Sequence, residues 1–135
     1  MSYAILFAIS GILIIAIYLP IFYFVVTKGK SKITKLFAIH LLCVLGWGIS
    51  SLLIGLSKNL DFSLKIWQLC NLAVVFIPVL FLHVVYLMLN EKGKLLLIFA
   101  YTQAIFFSII SLLQKMFIGG QLMFGSLYCS QGGPF

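Results

Sequence analysis

WGISSLLIGLSKNLDFSLKIWQLCNLAVVFIPVLFLHVVY, residues 47–86, decides the fold. It opens as the second half of an apolar helix and passes through a short polar hairpin, Ser57-Lys58-Asn59-Leu60-Asp61. A second apolar helix follows, starting with Trp67-Gln68-Leu69-Cys70-Asn71 and interrupted midway by Pro78. A mid-span Trp47, an interfacial Trp67, two amides, a proline and His83 fall together here and nowhere else in the chain.

Outward from this stretch the composition has one explanation. The 135 residues are 64% hydrophobic and 8% charged, whereas soluble domains carry about 25% charged residues. Four apolar segments, about 3–26, 36–56, 66–89 and 95–118, contain no Asp, Glu or Arg. Roughly 20 apolar residues in a helix cross a ~30 Å hydrocarbon layer. The expected fold is therefore all-α, an integral membrane bundle of four transmembrane helices in one unit covering residues 1–135. A membrane β-barrel would alternate apolar and polar positions instead. Met1 to Val26 lacks a basic leading segment and is too long for a signal peptide, so it reads as a retained first span.

The net charge of +7 comes from nine lysines and two acids. Lys28, Lys30, Lys32 and Lys35 follow the first span, and Lys92 and Lys94 follow the third. Only Lys58, Lys65 and Lys115 belong to the other side. Basic loops stay in the cytoplasm, so the six-to-three split predicts an N-terminus outside, in a multi-pass protein of the cell membrane. The basic charge then meets anionic headgroups rather than nucleic acid. Cys43, Cys70 and Cys129 are an odd set without metal-ligand spacing. They indicate neither a disulfide framework nor a metal centre.

The polar residues inside the spans are the candidate site. His40 and His83 fall at similar depths near the lysine-rich side, and an intramembrane ionisable group is a functional candidate by default. As a polar pair they would respond to pH, since a free imidazole titrates near ~6.5. As separate residues they are neutral imidazoles bonded across helices. Trp67, Gln68 and Asn71 could line an outer pocket for a small molecule or lipid, with Trp67 and Asn71 on one helical face turned into the bundle. Interfacial anchoring is the plainer role for that Trp. Trp47, set among Gly46, Gly48, Ser50 and Ser51, belongs to a packing surface. Pro78 leaves the Val74 carbonyl without its helical donor and predicts a kink or hinge; Pro20 does the same for Ala16 near the end of span one. There is no nucleophile–base pair, phosphate loop, dinucleotide fingerprint or metal cluster, so neither an active site nor a cofactor is expected.

Trp47, the run Leu52 to Leu56, Trp67, the step Ile77-Pro78, and Phe81 with Tyr86 form a pattern. It resembles the N-terminal seven-transmembrane sensor region that precedes many bacterial and archaeal histidine kinases. Tyr128 and Gly133-Pro134-Phe135 are similar to the step that leads into that family's fifth span. The resemblance implies the first four spans of a sensory input region in a two-component system. That region would relay a ligand or membrane signal to a cytoplasmic output module and form a homodimer through that module. The Gly-rich end, reading as a loop into something further, agrees with a fragment. Neither His40 nor His83 stands where such a kinase's phosphoacceptor would. The alternatives are a fragment of a small transporter or permease, or a non-catalytic membrane scaffold. A transporter predicts repeated spans or a midplane charge.

Overall fold

The computed structural model describes residues 3–90 and 94–113, together with the backbone of 117–123 and 127–132. Its elements are α1 (Tyr3–Lys28), α2 (Lys32–Leu56), α3 (Leu60–Leu89), α4 (Leu95–Leu112), β1 (Phe117–Met123) and β2 (Leu127–Gly132). All four helices are long and apolar enough to cross a membrane.

Local chemistry sets the helix starts. The Ser31 hydroxyl accepts from the Thr34 N–H at 3.1 Å and caps α2. The Asn59 side chain accepts from the Phe62 N–H at 3.2 Å and caps α3. Such caps satisfy N–H groups that have no partner within the helix. Asp61 then falls in the first turn of α3, where its charge suits the positive end of the helix dipole. At the other end Asn90 takes the left-handed conformation, φ 53°, and closes α3.

Two boundaries differ from those expected. The third helix begins at Leu60 rather than near 66, which places Asp61 and Lys65 on the helix and shortens the polar hairpin to Ser57-Lys58-Asn59. The Asn59 cap is the cause. The fourth helix ends at Leu112 rather than near 118, and an antiparallel ribbon follows, with Gln121 opposite Cys129 and Leu122 opposite Tyr128. Gly119 and Gly120 lie in β1, and each glycine in a helix interior costs about 1 kcal/mol relative to alanine. The membrane-length part of the chain is thus all-helical, but the tail is not.

The helices pack in chain order, α1 on α2, α2 on α3 and α3 on α4, so neighbours run antiparallel. One end of the row carries the α1–α2 and α3–α4 connections, hence the clustered lysines. The opposite end carries the α2–α3 hairpin and the β-ribbon, which lies against α3 and touches α2. The central helix α2 is the most enclosed, with Leu41 and Ile54 each 1% exposed.

Small residues bring α1 and α2 together. A Cβ on Gly11 would lie 2.6 Å from the Gly48 carbonyl oxygen, and one on Gly55 would lie 2.6 Å from the Ala8 nitrogen. Backbones this close need glycine, a common means of packing helices when both sides are apolar. Outside the seams the surface is apolar: Ile12, Leu13, Phe24, Leu42, Phe99 and Phe106 are all exposed. The buried hydroxyls of Ser50 and Ser108 bond within their own helices, to the Gly46 and Ala104 carbonyls, both at 2.8 Å, whereas the buried Ser111 hydroxyl has no hydrogen-bond partner among the described residues. An apolar surface over helices that satisfy their own backbone groups matches hydrocarbon rather than water.

Candidate functional site

His40 stands on α2 where that helix meets the middle of α3. Its Nδ1 lies 3.1 Å from the carbonyl oxygen of Ile77. A carbonyl only accepts, so Nδ1 carries the proton and donates. The imidazole is flanked by Phe37, stacked at 5.9 Å and 15°, and by Phe81, tilted at 5.9 Å and 46°. The bond ends one residue before Pro78, whose ring nitrogen cannot donate to Val74. It ties α2 to α3 beside the one turn of α3 that lacks a helical donor. The α3 helix continues through Pro78 to Leu89. Pro78 itself is exposed and lines a groove of about 270 Å³ toward α4, with Val75, Leu82, Gln103 and Phe107.

His83 uses a different face. Phe81 and His83 are separated by about 200° around the helix, so the second imidazole turns away from α2 and toward α4. Its Nδ1 lies 2.9 Å from the Tyr101 hydroxyl, and the rings meet edge to face at 5.8 Å. The two histidines therefore do not form a polar pair. His40 bonds α3 backbone and His83 bonds an α4 side chain, so the expected shared network is replaced by two separate cross-helix ties. Tyr101 is the partner that sequence reasoning missed. It lies six residues into α4, as His83 lies six residues before the end of α3. At 1.5 Å per residue both stand about 9 Å from the lysine-rich end, and this match of depth was the available signal.

Around the second tie a groove of about 520 Å³ opens between α3 and α4, lined by Tyr86, Leu87, Lys94, Leu97, Thr102 and Ile105 as well as by His83 and Tyr101.

At the opposite end Trp67 is half-buried and packs on Phe7 of α1, with ring centroids 5.9 Å apart at 33°. Gln68 and Asn71 are also half-buried. Trp67 thus joins α1 to α3, a role set by its interfacial position. Trp47 is 39% exposed. The packing surface around it belongs to its neighbours: Gly48 faces Ile14 of α1, Gly46 faces Ala73 of α3, and Ser51 is 1% exposed. Cys43 and Cys70 are free thiols, the latter buried. Among the described residues no group of three or more His, Cys, Asp or Glu could hold a metal ion. Tyr128 and residues 133–135, which contribute to the resemblance, lie outside the side chains described.

Compared with protein-family models, curated proteins and solved structures, the chain matches none of them. The class that fold and site define is a helical bundle of membrane-spanning proportions, tied across its helices by two histidines.

Proposed function

We propose that this chain is the membrane-embedded, non-catalytic sensory input region of a signal-transduction protein, a histidine kinase of a two-component system. It lies across the cell membrane with its N-terminus outside and the lysine-rich end in the cytoplasm. A ligand or a change in the membrane shifts α2 against α3, and further spans pass that shift to a cytoplasmic, dimeric output module. The carrying observation is the bond from His40 to the Ile77 carbonyl beside Pro78. A polar contact between two apolar helices at a proline is a discrete joint, weak enough to exchange. Cross-helix hydrogen bonds of this kind are worth about 0.6 kcal/mol on average.

The test uses the complete protein in membrane vesicles, with autophosphorylation of its output module as the readout. Removing a bond of about 0.6 kcal/mol changes a two-state equilibrium about threefold. His40→Phe should therefore change the basal phosphorylation level by about that factor, and Pro78→Ala should alter it as well. Unchanged phosphorylation in both variants, or a complete protein without an output module, would retire the reading. Further spans that repeat these four would point to a transporter instead.

A further inference from the structure

We propose that the groove between α3 and α4 at the lysine-rich end binds an anionic phospholipid. The phosphate would lie at Lys94 and one acyl chain would run along the groove toward Ile105. This needs the bundle to sit in a membrane but does not depend on the sensory reading.

The groove changes character with depth in the way a lipid does. Lys94, exposed at the mouth, immediately precedes α4. The helix begins there without a side-chain cap, and the positive end of its dipole favours an anion. About 9 Å deeper, the Tyr101 hydroxyl and His83 Nδ1 form their 2.9 Å bond within the groove wall. If the phenol donates, His83 Nε2 carries the proton and is a donor; if Nδ1 donates, Nε2 is an acceptor. Either tautomer leaves one polar atom beside the phenol at the depth of a lipid's ester linkages. Ile105 lies a further turn down, and Leu97 completes an apolar wall.

Size and charge select the occupant. The groove, about 520 Å³, lies within the ~300–1,000 Å³ range of small-ligand sites. Neither α4 nor the half of α3 beyond Pro78 contains an acidic residue, and the α3–α4 connection carries Glu91 against Lys92 and Lys94. Lys28, Lys30, Lys32 and Lys35 add positive charge at the same end. Basic pockets between spans at a cytoplasmic surface are suited to anionic headgroups. A free phosphate would leave the apolar wall bare, whereas a phospholipid covers both parts.

The purified chain in mild detergent, titrated with phosphatidylglycerol or phosphatidylcholine and read by native mass spectrometry, tests the proposal. Phosphatidylglycerol should be retained at least fivefold more strongly than phosphatidylcholine. Lys94→Gln should weaken it about fivefold, the effect of one lysine near a lipid surface. Lys30→Gln, at the same end but outside the groove, should change retention less than twofold. Thr102→Trp fills the groove and should abolish tight retention; Ile98→Trp, on the same exposed wall, serves if that variant fails to fold. Glycerol phosphate in excess should not displace the lipid. Equal retention of both lipids, an equal loss with Lys30→Gln, undiminished retention in the filled groove, or displacement by glycerol phosphate would each overturn the proposal. So would a helix of a second copy occupying the groove, detected as cross-linking between cysteines introduced at position 98.

Discussion

His40 and His83 tie different pairs of helices: Nδ1 of His40 donates to the Ile77 carbonyl of α3, and Nδ1 of His83 meets the Tyr101 hydroxyl of α4. His83→Phe and Tyr101→Phe, combined in a double-mutant cycle of unfolding in detergent, should give a coupling of about 0.6 kcal/mol, the typical size for such bonds between spans. A coupling near zero would mean that the pair contributes packing alone.

Between elements, the glycines of α2 are not equivalent. A Cβ at Gly55 would lie 2.7 Å from the Ala4 carbonyl oxygen as well as close to the Ala8 nitrogen, so α1 would have to move. A Cβ at Gly46 would make an ordinary 3.7 Å contact with Ala73. Gly55→Ala should accordingly destabilise by about 1–3 kcal/mol, the cost of overpacking a tight seam. Gly46→Ala should be neutral or gain up to ~1 kcal/mol from helix propensity. Paired thermal unfolding of the two variants checks this, and equal losses would show that the α1–α2 seam yields easily. Asn59→Ala removes the cap on α3 and should cost about 1 kcal/mol, visible as fraying of the first turn in hydrogen exchange.

For the whole molecule, the distribution of lysine predicts the orientation. With the native cysteines replaced, Lys58→Cys should react with an impermeant maleimide in intact cells and Lys30→Cys only after the cells are opened. The reverse pattern would invert the bundle and move the α3–α4 groove to the outer leaflet. The row-like packing gives α4 its main helix contact with α3, so α4 should show the fastest amide exchange of the four. Slower exchange in α4 than in α2 would count against this order of packing.

The existence, number and order of the helices were legible in the sequence, because an unbroken apolar run of the right length is a local property that needs no partner. The lysine-rich end was legible for the same reason. Helix starts were only partly so: Asn59 and Asp61 carried the signal for an early α3, but a polar cluster read by hydropathy looks like loop. The faces were not legible. In a helix that is apolar all round, no hydrophobic stripe marks the side that meets a neighbour. That choice was left to close backbone approach at Gly11, Gly48 and Gly55 and to two hydrogen bonds. His40 and His83 looked like a pair because depth follows from counting residues. Only the packed structure decided that His40 reaches α3 from α2 while His83 turns from α3 to α4, since direction around a helix is fixed by the neighbours it acquires.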